Sequence, residues 1–172
     1  NIPLHPFHSM SLRRVMQRAP ALAGVLLCAL LLWGCASPQA SKARSEWPAG
    51  LPASALIPDV PFIAQEDYQC GPAALSMVAQ AAGVQQDMAS WVEQVYVPAR
   101  QGSLQPEMLA ASRRNGLPAY LLQPQLGAVL REVAAGNPVL VFQNLSFGFA
   151  PVWHYAVVIG FDRDANTITL HS

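Results

Sequence analysis

Hydrophobic positions divide the chain into three zones. Ala21 to Trp33 is an apolar run of 13 residues, residues 36–57 mix Ala, Ser and Pro with a few charges, and from Pro58 onward apolar residues recur at helical and then strand spacing. In the third zone Ala74, Met77, Val78 and Ala81 form a stripe at helical spacing. Pro72 suits the first helical position and Gly83 is placed to end the run, so a helix opening at Cys70 is predicted. Asp87 to Val95 reads as a short helix. Ser103 is placed to cap another, in which Leu104, Met108 and Ala111 share a face and Asn115-Gly116 form the stop. Met77, Met88 and Met108 fall at helical spacing among apolar residues and read as core filler, while Arg113 and Arg114 read as a solvated face.

Strand signals follow. Pro118 to Leu122 reads as a strand, Gln125 to Ala135 as a helix stopped by Gly136-Asn137-Pro138, and Val139 to Gln143 as a second strand. Trp153 to Phe161 is rich in β-branched and aromatic residues and reads as a buried strand. Asp162 to Asn166 is a turn that pairs Phe161 with Thr167. Helices first and an antiparallel sheet after them make an α+β arrangement. About 115 residues suffice for one core, and no internal repeat is present.

Two residues carry the candidate chemistry. Cys70 opens its helix at the amino end, where unpaired amides and the helix dipole favour thiolate over thiol. His154 opens the buried strand and is the best candidate base. The two are far apart in sequence, as thiol and imidazole partners usually are. Taken singly, each has a plainer reading: Cys70 as a small buried hydrophobe, His154 as a core histidine, Gln65 as a surface loop residue. Together they fit one site. Phe147 and Phe149, in the loop Asn144 to Pro151, either line a groove or pack under that loop.

Gln65, Cys70-Gly71-Pro72 and His154-Tyr155 resemble the motifs of cysteine peptidase family 39, the papain-like bacteriocin-processing peptidases, and especially its exported stand-alone members. The resemblance runs from about Val60 to the end of the chain. It implies a papain-like fold with amino-terminal helices packed on an antiparallel sheet, and no metal or cofactor. It also implies an oxyanion role for the Gln65 side-chain amide.

The family pattern has an acidic third member on the strand that returns after the histidine strand, where it orients the imidazole. That strand here reads Thr167-Ile168-Thr169-Leu170-His171-Ser172, with no carboxylate. Asp162 is no substitute: eight residues along an extended strand place it about 26 Å from His154. Ser172, a residue beyond it, or no third group at all are the remaining options.

The amino-terminal zone changes the setting. Arg13, Arg14 and Arg18 precede the apolar run, and Gly34-Cys35-Ala36 follow it, which is the layout of an export signal starting at Met10. The run is short of the ~20 residues of a membrane-spanning helix. Leu32-Trp33-Gly34-Cys35 resembles a bacterial lipobox, with Cys35 as the lipidated residue; an ordinary cleaved signal or an uncleaved anchor is the competing reading. The expected organisation is upstream residues and lipoprotein signal over 1–35, a flexible tether over 36–57 and the peptidase-like domain over 58–172, with that domain continuing beyond the given chain. No aspartate follows Cys35, which points to the outer membrane, facing the periplasm. The full chain has a formal charge of zero, but seven basic and ten acidic residues remain from Cys35 onward. No basic stripe exists, so nucleic acid is not an expected partner. With Cys28 removed and Cys35 lipidated, Cys70 is the one free thiol, and an unused thiol in an oxidising compartment is a liability.

The leading expectation is an envelope-anchored thiol peptidase, with a peptide or protein substrate, a membrane contact through the lipid, and further protein partners through a carboxy-terminal region. The alternatives are an amidase or acyltransferase on a non-protein substrate, which the same fold can host, and a catalytically weak lipid-anchored binding module.

Overall fold

The structure is a computed structural model that describes residues 38–172. The export signal, its apolar run and the lipobox Cys35 lie outside the described residues. The chain divides into two units, residues 1–41 and 42–172, and the second holds all the elements that matter here. After a polar helix α1 (Pro38–Ser45) with no buried residue come β1 (Ser54–Leu56), α2 (Cys70–Ala81), α3 (Met88–Val95), a single 3-10 turn at Pro98–Arg100, α4 (Gln105–Arg114), α5 (Leu126–Ala134), β2 (Val139–Asn144), β3 (Trp153–Asp162) and β4 (Thr167–His171).

The helices stop by one shared device. Gly83, Gly116 and Gly136 hold φ of +84°, +77° and +88°, left-handed values that glycine adopts without a Cβ clash. Each lets the next residue donate back into the last turn: Val84 to Ala79 O, Leu117 to Ser112 O and Asn137 to Glu132 O, at 2.9, 3.0 and 2.9 Å. At the other ends, Asp87 caps α3 by accepting from Ser90 N at 2.8 Å, whereas α2 and α4 have no side-chain cap. Pro72 is the third residue of α2 rather than the first. It is tolerated there because first-turn amides have no helical acceptor.

The sheet is antiparallel and organised around β3, which pairs with each of the other three strands. β2 meets Trp153–Val158, β1 meets Gly160–Asp162 and β4 meets Val157–Asp162. Helices cover both of its faces, so β3 is buried continuously from Tyr155 to Phe161 rather than alternately. Tyr155, Val157 and Ile159 join Leu75, Met77, Trp91 and Met108 in one core, made with α2, α3 and α4. Val158 and Phe161 join Leu130 and Val133 of α5 in a second. A register shift between Val158 and Gly160 changes the alternation, which turns Phe161 to the α5 side. Gly160 is required where β1 crosses, since a Cβ there would sit 2.9 Å from Ala55 O.

Several expectations are corrected. The stretch 36–57 is not a plain tether, nor does the folded part begin at Pro58. Trp47, Leu51 and Ala55 pack on the second core, with the Trp47 ring 5.7 Å from that of Phe161 and the Arg163 guanidinium 5.5 Å from Trp47. Pro118 to Leu122 is not a strand and joins no ladder. Tyr120 and Leu121 are exposed; Arg113 and Arg114 are exposed as expected, and the Arg113 guanidinium also donates to Ala119 O at 2.8 Å. Thr167 pairs with Asp162, one step from the expected Phe161, because Asp162 Oδ1 accepts from Ala165 N at 2.8 Å and tightens the turn. Met77 and Met108 are core as expected, and Met88 is half-buried.

Ser103 does not cap α4; Leu104 holds that place. Ser103 is instead buried against Gly71, where an added Cβ would overlap its Oγ and lie 2.5 Å from its Cβ. Gly71→Ala is therefore expected to lower unfolding free energy in urea by about 1–3 kcal/mol. Ser103→Ala should not rescue it, because the Ser103 Cβ is itself in the way, whereas Ser103→Gly should recover part of the loss.

Candidate active site

The candidate residues sit on the loop before α2, on the first turn of α2 and near the start of β3, the strand against which α2 packs. Glu66 to Gln69 form a tight turn, with Gln69 N donating to Glu66 O at 3.1 Å and Tyr68 at a left-handed φ of +64°. A tyrosine in that region stores strain of about 1 kcal/mol or more, held by the surrounding fold. The turn delivers Cys70 as the first residue of α2, half-buried and packed against the core that contains Tyr155. Among the described residues Cys70 is the free cysteine. No side chain caps α2, so the amides at its amino end have no side-chain acceptor.

Gln65, at the entrance to this turn, has a buried side-chain amide nitrogen with no partner among the described residues. A buried N–H donor without an acceptor is costly unless something arrives to accept from it. That is the condition of an oxyanion-hole donor before substrate binds.

His154, second residue of β3, is half-buried, and burial lowers its pKa below the ordinary 6.5. Its Nε2 lies 2.9 Å from Ser172 Oγ. The structure thus brings together His154 and the third-position residue Ser172. Asp162, eight residues along β3, is spent on its turn. A hydroxyl can fix the imidazole plane, but it supplies no negative charge to favour the protonated ring.

α2 packs directly against β3. Tyr155 follows His154 along β3, about 3.8 Å away between Cα atoms. It is close enough to Cys70 for a charge on the sulfur to act on it. Burial first, then Cys70, then Glu107 push its hydroxyl from 10.0 up to about 12. Glu107 of α4 and the hydroxyl of Tyr155 are groups to which the sequence reading assigned no role. Nothing along the chain signals Glu107, because its neighbours at the site come from β3 and from the start of α2.

An apolar groove of about 820 Å³ runs between α2, α4, the 117–124 segment and β2, and reaches Tyr155; Leu75, Met108, Leu121, Leu140 and Phe142 are among its lining residues. Beside it Phe142 stacks on Trp153 at 4.9 Å and contacts Tyr155 at 4.5 Å between ring centroids. Phe147 and Phe149 stack on each other in the open, 5.5 Å apart, and are 70% and 88% exposed, so they do not pack under their loop.

Searches of curated proteins and of solved structures find no match. The peptidase C39 like family does match, over residues 57–172, the stretch that contains the loop, α2 to α5 and β2 to β4. Gln65, Cys70, His154 and Ser172 all fall inside it, and the α+β arrangement is that of its papain-like fold. On that match over most of its length, the chain belongs to the peptidase C39-like family.

Proposed function

We propose that the domain is a thiol peptidase in which Cys70 is the nucleophile and His154 the base. The observation that carries this reading is the engagement of His154: with Nε2 held by Ser172 Oγ at 2.9 Å, Nδ1 is the nitrogen left for a proton from sulfur. In this reading Nδ1 takes the thiol proton as Sγ bonds to the peptide carbonyl carbon and the carbonyl π pair moves onto oxygen. Gln65 Nε2 and the Cys70 backbone N–H donate to that oxygen. When the tetrahedral centre collapses, the C–N bond breaks and the imidazolium gives its proton to the leaving amine. Water then attacks the thioester with His154 as base; the C–S bond breaks and the proton ends on sulfur. The apolar groove beside Tyr155 would receive apolar side chains of the peptide.

The setting of this activity is also a proposal. The basic residues, the 13-residue apolar run and Cys35 support a lipid-anchored envelope protein of the outer membrane. A second reading, a binding module with little chemistry, is favoured by one observation: the group on His154 Nε2 is a hydroxyl rather than a carboxylate.

The pH dependence of Cys70 alkylation by iodoacetamide tests the pair. Reactivity well below pH 8 is expected, shifting to higher pH in His154→Ala; a profile indifferent to His154 would leave the binding module. A panel of peptides and non-peptide amides, with Cys70→Ala as control, separates peptidase from amidase. Ser172→Asp should raise the His154 pKa through an added counter-charge, increasing alkylation at mildly acidic pH.

Stability should report the same ring. Its folded pKa is depressed, so the unfolded chain protonates first as pH falls below 6.5. The contribution of the neutral ring is present above that pH, declines on acidification, and stops declining once the folded pKa is passed. His154→Asn should remove this acid slope from denaturation midpoints measured across the range.

A further inference from the structure

The β2–β3 hairpin ends in an apolar surface that faces water. Leu145, Phe147, Phe149, Val152 and Trp153 are each more than half exposed, and their rings stack in two pairs, Phe147 on Phe149 and Trp153 on Phe142. Single apolar side chains are ordinary on a surface, but a cluster of them marks a contact. Charge is absent too: no Asp, Glu, Lys or Arg lies between Glu132 and Asp162. The loop also satisfies much of its own backbone. Asn144 Oδ1 accepts from Ser146 N and Val152 N at 3.0 and 2.8 Å, while Leu145 N donates to Val152 O at 2.8 Å and Ala150 N to Phe147 O at 3.0 Å. Pro151 has no amide to satisfy. Such a loop gives up few hydrogen bonds on leaving water, which is what a lipid environment demands of backbone.

We propose that this hairpin docks on a phospholipid bilayer, with Leu145, Phe147 and Phe149 entering the boundary between headgroups and acyl chains and Trp153 at headgroup level, where indoles collect. The proposal rests on the envelope setting proposed above, and the chain before the described residues is what points to lipid. Its 13-residue apolar run ends just ahead of Cys35, and three residues on from Cys35 the described structure begins at Pro38. Twelve residues separate Cys35 from Trp47, eight of them in α1, a reach of roughly 28 Å. Trp47 packs on Phe161, and the strand from Phe161 back to Trp153 measures roughly 26 Å. The tether is thus as long as the strand, so the hairpin can meet the same bilayer with β3 lying along it. A protein partner is the weaker fit, because such interfaces carry a polar rim and this tip has no charged side chain to form one. His154 directly follows Trp153. Docking therefore holds the histidine end of β3 at the lipid surface, where membrane-bound peptides are the substrates within reach.

The test is photocrosslinking of the full chain on phosphatidylcholine vesicles, which carry no net charge, with flotation to show attachment and thermal melts to show folding. The photoreactive p-benzoylphenylalanine replaces Phe149 in one variant and Asp164, in the exposed turn at the far end of β3, in another. Mass spectrometry then identifies the adducts. Lipid adducts at position 149 about ten-fold above those at 164, unchanged by added salt, are expected, since a contact without charge is not screened. Should position 149 not accept the probe, Phe147, the other exposed ring, carries it with the same expectation. Equal yields at the two ends, or a yield that collapses in salt, overturn the proposal. So do adducts to protein in place of lipid, which would assign the rings to a second copy or to another segment of this chain. A chain that floats without lipid adducts at the tip overturns the docking role alone. One that does not float overturns the envelope setting with it.

Discussion

The contact between α2 and β3 is the constraint on which the rest of the site depends. Cys70 has no position of its own; it is where α2 begins, and α2 is held by Leu75 and Met77 packing with Tyr155, Val157 and Ile159. Close packing makes such a contact intolerant of small shifts. Gly71 adds a second lock, because only a residue without a Cβ lets α2 come this close to Ser103. The strand that supplies this packing also carries His154 at its start, so one interface sets both the thiol and the imidazole.

The electrostatic character of the site differs from a fully charged triad. Ser172 orients His154 without a counter-charge, and burial works against the protonated ring. On the helix side, burial first, then Cys70 and Glu107, hold the Tyr155 hydroxyl protonated. The Gln65 amide nitrogen is the complementary feature: a buried donor with no acceptor among the described residues, as the proposed oxyanion role requires.

Local pattern made much of this legible. The helical stripe through Ala74 and Met77, the apolar run from Tyr155 to Phe161 and the glycine stops read correctly because each depends on neighbours within a few residues. Pro118 to Leu122 misled for the opposite reason: its composition suits a strand, but a strand exists only where a partner offers a ladder. β1 was hidden because three residues show no period, and its place comes from β3 and from Trp47 against Phe161.

By itself, the sequence determined α2 to α5, β2 to β4, the α+β class, the thiol at a helix start and the histidine at a strand start, because those follow from short-range periodicity, turn chemistry and motif spacing. The tertiary structure decided what stands beside them: Ser172 on His154, Ser103 under Gly71, and the core containing Tyr155 against Cys70. Those neighbours come from distant segments, and only the packing of helices on both faces of β3 brings them within reach of one another.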